Sequence, residues 1–162
     1  MDFEPTQTQQ VIAGSAADVL GAVAGPDWQP QAGQAGSAGQ PGYDLTAWQA
    51  LFEHAGLKAG QSILVNGAGG AVGGYAVQLA ARAGSTVTAT ASPSSAGRVR
   101  SYGADQVIDY TATPLPQAVA GQRFDVVLNL VRTDAEETAA LADLADVITY
   151  RTEEYVKVAK RR

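Results

Sequence analysis

The segment that most restricts the fold runs from Ile63 to Gly74. It reads Ile63-Leu64-Val65-Asn66-Gly67-Ala68-Gly69-Gly70-Ala71-Val72-Gly73-Gly74. An apolar run that passes through closely spaced glycines into a stretch of helical periodicity reads as strand, tight turn and helix in immediate succession. Gly67 and Ala68 are small enough for a sharp turn at the strand end. Gly70 keeps a side chain away from whatever lies over the turn, and Gly73 lets the helix pack closely on the sheet. Such a turn presents unpaired backbone N–H groups at the positive end of a helix dipole, which suits an anion such as a pyrophosphate. Counted from Ala68, the spacing is small-x-Gly-x-x-Gly, a variant of the Gly-x-Gly-x-x-Gly fingerprint of dinucleotide binding.

Glycines number 18 among 162 residues, so clusters can arise by chance and the flanking sequence must decide. Ser62–Asn66 is a short apolar strand. The following helix spans Ala71–Ala83, with Val72, Ala76, Leu79, Ala80 and Ala83 on one face and Gly84 as its stop. Thr86–Ala91 alternates β-branched and small residues as a strand does. Pro93–Tyr102 is helical, with Ser92 at the N-cap, Pro93 at the first position and Gly103 after the end.

Gln106–Asp109 is a short strand, and Phe124–Val131 is an unbroken apolar one of the kind buried on both faces. Thr133–Leu144 is a helix with acidic residues at its start, and Val147–Tyr150 offers at most one strand more. Upstream, Thr46–Ala55 is helical, with Leu45, Trp48, Leu51 and Phe52 along one face and Gly56 after it. Strand and helix alternate throughout. The expected fold is therefore α/β: a Rossmann-type doubly wound parallel sheet, truncated at its far end.

The rest of the chain divides by composition. Residues 1–24 carry Val11, Ile12, Ala16, Val19, Leu20 and Val23 at helical spacing, giving an N-terminal helical segment. Residues 25–42 are rich in Gly, Pro and Gln and read as a flexible linker. The dinucleotide-binding domain is expected over 43–150. Residues 151–162 form a basic C-terminal tail carrying Arg151, Lys157, Lys160, Arg161 and Arg162.

Several classes are excluded or disfavoured. The chain has no cysteine and one histidine, His54. Disulfides, thiolate zinc sites, a cysteine nucleophile and histidine-dependent triads are thereby ruled out, and no metal is expected. The net charge of −5 sits on an acidic body, which argues against a nucleic-acid partner. No apolar run approaches membrane-spanning length, and Met1-Asp2-Phe3-Glu4-Pro5 lacks the basic start of a secretory signal, so the expected compartment is the cytoplasm. A truncated sheet leaves an edge that asks for cover, so a homo-oligomer is among the expectations.

Residues 45–131 resemble the cofactor domain of the medium-chain dehydrogenase/reductase superfamily, in its zinc-independent quinone oxidoreductase or enoyl reductase branch. The resemblance is carried by Leu45-Thr46-Ala47-Trp48-Gln49-Ala50-Leu51, by Gly56–Val65, by the glycine turn with Ala76-Val77-Gln78-Leu79-Ala80, by Gly103–Tyr110 and by Phe124–Leu128. It implies hydride transfer from a nicotinamide cofactor to an enone or quinone. It also places Thr46 and Asn129, Leu130 and Val131 nearest the nicotinamide, and Gly67, Ala68, Gly69, Gly70, Ala71, Val72 and Gly73 around the pyrophosphate. Members of the family carry a GroES-like catalytic domain to which nothing in residues 1–42 is similar. The alternative to an oxidoreductase is therefore a nucleotide-binding or structural module without efficient turnover.

The cofactor preference turns on the end of the second strand, where NAD-specific units place an acid. Here Ser92 stands there, with Ser94 and Ser95 following and Arg98 and Arg100 in the next helix. A 2′-phosphate meets no repulsion, so NADP(H) is favoured over NAD(H). The family often has a basic residue near Ser94 or Ser95 and a tyrosine at the position of Tyr110. Tyr110 matches that pattern and Ser95 does not.

Overall fold

The computed structural model describes residues 43–151 and 156–160. The helical segment expected at 1–24 and the linker at 25–42 lie outside the described residues, as do 152–155 and 161–162 of the basic tail.

The chain enters through helix α1 (Tyr43–Trp48), which widens into a π-helical turn over Gln49–His54. Strand β1 (Ser62–Asn66) leads through the glycine turn to α2 (Ala71–Arg82), then β2 (Thr86–Ala91), α3 (Pro93–Ser101) and β3 (Gln106–Asp109). A single helical turn, α4 (Leu115–Ala118), precedes β4 (Phe124–Asn129). Helix α5 (Ala135–Leu144) and strands β5 (Ala145–Arg151) and β6 (Val156–Lys160) complete the described residues.

The strands form one sheet in the order β3-β2-β1-β4-β5-β6, parallel except for β6, which runs antiparallel to β5. From β1 the chain winds outward to β2 and β3, then crosses back to place β4 on the other side of β1. Ile63 thus lies between Val87 of β2 and Val126 of β4. The two windings diverge between β1 and β4, and such a switch point opens a crevice at the carboxyl ends of the strands.

Alternation along the strands feeds two cores. Ile63, Val65, Val87, Ala89, Val126 and Leu128 face one way and pack with Leu51 of the π turn, Leu79 of α2 and Val99 of α3. Leu64 and Val127 face the other way, against Val119 and Leu141, and Phe124 at the start of β4 packs into the same cluster. The sheet is therefore covered on both faces, as a parallel sheet must be.

Several expectations need correction. The first helix does not start at Thr46; it starts at Tyr43, so Thr46 is interior to it. Beyond Trp48 it is not α-helical. Ala55 N–H donates to Ala50 O at 3.1 Å, and this five-residue spacing buries both alanines. Strand β4 ends at Asn129 and not at Val131, because Leu130 N–H makes its last bond to Asn66 O (3.0 Å) and the chain turns away. Helix α5 begins at Ala135, where Asp134 and Glu137 form a reciprocal capping box. Two strands follow Leu130 instead of at most one. β6 lies in a stretch whose charge suggested a tail, and its pairing with β5 was not visible in a five-residue run that carries two lysines and leads into Arg161 and Arg162.

Candidate functional site

The glycine turn owes its shape to two contacts that exclude side chains. Gly67 holds φ at +98°, a conformation costly for other residues, and a Cβ there would stand 2.9 Å from Val131 Cγ2. A Cβ on Gly73 would stand 2.3 Å from Gly67 O and 2.7 Å from Ala68 Cα. The role of Gly73 is thus more local than expected: the first turn of α2 rests on the glycine turn itself. Gly70 differs from both. A Cβ there would meet only Gly67 O, at 3.6 Å, so the space above it is open.

The N–H groups sort accordingly. Gly67 N–H donates to Thr90 Oγ1 (2.9 Å), Ala68 N–H to Thr90 O (3.1 Å) and Gly70 N–H to Gly67 O (3.3 Å). The first helical bond of α2 is Gly74 N–H to Gly70 O, at 2.9 Å. Ala71, Val72 and Gly73 therefore present the N–H groups that a helix start leaves without intrahelical partners.

A cleft of about 650 Å³ opens over this turn and crosses the switch point. One wall is Gly67, Gly69 and Gly70 with Ser92 and Ser95. Tyr110 and the Pro114-Leu115-Pro116 turn stand beyond the end of β3. Val131, Arg132 and Thr133 form the wall beyond β4. Among the described residues, Glu137 is the only carboxylate of the lining, and Tyr110 and Val131 are the two large apolar side chains left notably exposed. The volume and the mixture of apolar wall and a few polar groups suit a small organic ligand.

The cleft thus brings together Gly67, Gly69, Gly70, Ser92, Ser95, Tyr110 and Val131 from the sequence-predicted set. Ala68, Val72 and Gly73 are buried beneath the turn, with Ala71 half-buried at the start of α2. Arg98 reaches the site from below: its guanidinium donates to Gly69 O (2.9 Å) and touches Ser95 Oγ (3.5 Å). Arg100 is exposed on α3. Ser92 occupies the N-cap position, but its hydroxyl bonds Ser94 Oγ (2.9 Å) and makes no capping bond. Thr46 is half-buried on α1, Leu130 packs into the core and Asn129 is buried below the cleft, so none of the three lines it.

Sequence reasoning missed Asn66, Thr90 and Thr133. Thr90 Oγ1 donates to Asn66 Oδ1 (2.8 Å), Asn66 Nδ2 to Asn129 Oδ1 (3.0 Å), and Asn129 Nδ2 to Thr133 Oγ1 (3.1 Å). The one available signal was an asparagine closing each of the apolar strands β1 and β4, with a threonine near the end of β2 and another just beyond β4. Among the described residues no three His, Cys, Asp or Glu side chains converge as metal ligands, and no helix is long and apolar enough to cross a membrane.

No family model matches the chain. A chloroplastic quinone oxidoreductase of Triphysaria versicolor is 42% identical over 108 residues, which are 62% of this chain and 32% of that protein. The solved quinone oxidoreductase of Coxiella burnetii superposes with a TM-score of 0.58 at 34% identity, over 65% of this chain and 32% of that one. The solved CurK enoyl reductase superposes at 0.55 and 32% identity, with the same coverage of 65% and 32%. The homologues of this chain are quinone oxidoreductases and enoyl reductases of the medium-chain dehydrogenase/reductase superfamily. The chain spans about a third of the length of these relatives.

Proposed function

We propose that this domain binds a nicotinamide dinucleotide in the cleft, with NADP(H) preferred, as the cofactor half of an oxidoreductase acting on an enone or quinone. The observation that carries the reading is the β1–α2 turn. Gly73 seats the helix against Gly67 and Ala68, Gly70 leaves the approach open, and the cleft continues across the switch point. These residues fit a pyrophosphate: the first N–H groups of α2 face the opening left at Gly70, and no side chain intrudes there.

A bound nicotinamide dinucleotide supplies the hydride. The chain's own residues bind it and orient it. Gly69 to Gly73 hold the phosphates, and Val131 gives the far half of the cleft an apolar wall. Ser92 and Ser95 offer hydroxyls, and no acid, where the adenosine ribose is expected. The Arg98 guanidinium stands beside them, and its donated bond to Gly69 O fixes it against the turn. That combination favours an added 2′-phosphate.

The test is a pair of fluorescence titrations with NADPH and NADH at low and high salt. NADPH binds more tightly, the margin shrinks with salt, and Arg98→Ala weakens NADPH by about fivefold while leaving NADH unchanged. Equal affinities at low salt, or tighter NADH, overturn the NADP(H) preference. Consumption of NADPH with a simple quinone then separates an enzyme from a module that only binds.

A further inference from the structure

Asn66 and Asn129 are opposite one another in the parallel β1–β4 ladder, at the switch point, and both are buried. Their side-chain amides are joined at 3.0 Å. They belong to a chain of hydrogen bonds with a fixed direction. Gly67 N–H, a donor only, starts it at Thr90 Oγ1; Thr90 passes it to Asn66 Oδ1, and Asn66 Nδ2 to Asn129 Oδ1. Val131 N–H, also a donor only, points at the same Asn129 Oδ1 (3.3 Å) and so fixes which end of that amide faces Asn66. Asn129 Nδ2 then donates to Thr133 Oγ1, which lies 2.8 Å from Thr138 Oγ1, and Thr138 donates to Asp134 O (2.7 Å).

Strand pairing does not need this pair. The backbone ladder already joins β1 to β4, and Leu130 N–H to Asn66 O extends it past the last register pair. Two apolar side chains would fill the same space without burying amides. What the amides add lies beyond the ladder, where they tie Gly67 on one wall of the cleft to Val131 and Thr133 on the other.

We propose that Asn66 and Asn129 are positioning residues, whose buried amide pair across the switch point holds the two walls of the cleft in register for a ligand long enough to touch both. The inference rests on the nicotinamide dinucleotide reading above. Asn129 lies below the cleft and Asn66 meets it only by a narrow, mostly buried edge; each acts mainly through the loop it holds. A ligand confined to the glycine-turn side gains nothing from the register, whereas one spanning the switch point does.

NADPH and 2′-phospho-ADP separate the two cases, because the latter carries the adenosine, its 2′-phosphate and the pyrophosphate but no nicotinamide riboside. In the Asn66→Leu/Asn129→Leu double variant no side-chain amide is left facing an apolar partner, and thermal unfolding checks that the fold is retained. NADPH binding weakens about tenfold and 2′-phospho-ADP binding stays within about twofold. Thr133→Val, a near-isosteric change at the surface end of the chain, gives the same split at about threefold and serves if the double variant does not fold.

Equal weakening of both ligands, or no change in either, makes the pair purely structural and overturns the proposal while leaving the cofactor reading intact. A parent protein that binds 2′-phospho-ADP and NADPH equally overturns it as well, since the far wall then adds nothing. A parent that binds neither removes the cofactor reading, and this inference with it.

Discussion

The two ends of the central strands are held by different chemistry. At the amino ends the clamps are carboxylates. Asp125 accepts from Ser62 N–H (2.8 Å) and Ser62 Oγ (3.1 Å), and Asp105 accepts from Val87 N–H (2.8 Å). At the carboxyl ends of β1, β2 and β4 the clamp is the neutral chain of Thr90, Asn66, Asn129 and Thr133. A carboxylate makes the stronger hydrogen bond to a backbone N–H. Its charge would also repel a phosphate at close range, by about 4 kcal/mol at 4 Å for an effective dielectric near 20. The ends that carry the cleft do without the stronger clamp, and the ends remote from it use it. If the cleft takes the proposed dinucleotide, the difference teaches that strand-end chemistry here follows the ligand's charge and not stability alone.

The largest effect expected is at the cleft end. A Cβ on Gly73 strikes backbone atoms of Gly67 and Ala68, which cannot swing aside. Gly73→Val therefore costs about 3 kcal/mol of stability and removes nucleotide binding as well. Gly70→Val meets no such wall and keeps the fold, but its side chain fills the approach and abolishes measurable NADPH binding. Thermal unfolding alongside NADPH titration separates the two. Were Gly70→Val to bind NADPH as the parent does, the phosphate cradle would be lost as an explanation of the turn.

At the amino end the expectation reverses. Asp125→Ala strands Ser62 N–H and costs about 2 kcal/mol in urea or thermal unfolding. NADPH affinity at temperatures where the variant is folded should not change. A matching loss of affinity would show that the two ends are coupled and that the contrast drawn between them is false.

The sequence made some of this legible and hid the rest for physical reasons. The turn, α2, β2 and β3 could be read because glycine placement and apolar period act over a few neighbouring residues, and Gly84 and Gly103 do adopt the positive φ expected of helix stops. The π turn was hidden because Gln49–His54 has the composition of an ordinary helix. α4 is a four-residue turn that starts next to prolines, too short for any period. The amide pair was hidden most completely. Asn66 and Asn129 are 63 residues apart, and each alone looks like the polar end of a strand. Asn129 was placed near the ligand by resemblance to a family. Its bond to Asn66 required the sheet order.

The smallest effect concerns an apparent exception, because Asp109 is a carboxylate at the carboxyl end of β3. It does not line the cleft; it is turned toward the residues that follow it. The Thr111 hydroxyl beside it is the main reason its pKa lies below the ordinary value. Partial loss of water acts the other way, and the N–H groups of Thr111 and Ala112 add to the lowering. A depressed folded-state pKa means that the bonded carboxylate stabilises the fold above the unfolded pKa and loses that contribution as pH falls through the folded value. Thr111→Val removes the largest cause and leaves the backbone donors. The Asp109 midpoint, followed by carboxyl carbon NMR, should rise toward the ordinary value, and the acid limb of the unfolding curve should flatten slightly. NADPH affinity at neutral pH should stay as in the parent, since the charge persists there and faces away from the cleft. An unchanged midpoint would mean that Thr111 does not hold this carboxylate. A change in NADPH affinity would mean that Asp109 faces the ligand after all, and the strand ends at the cleft would no longer be free of carboxylates.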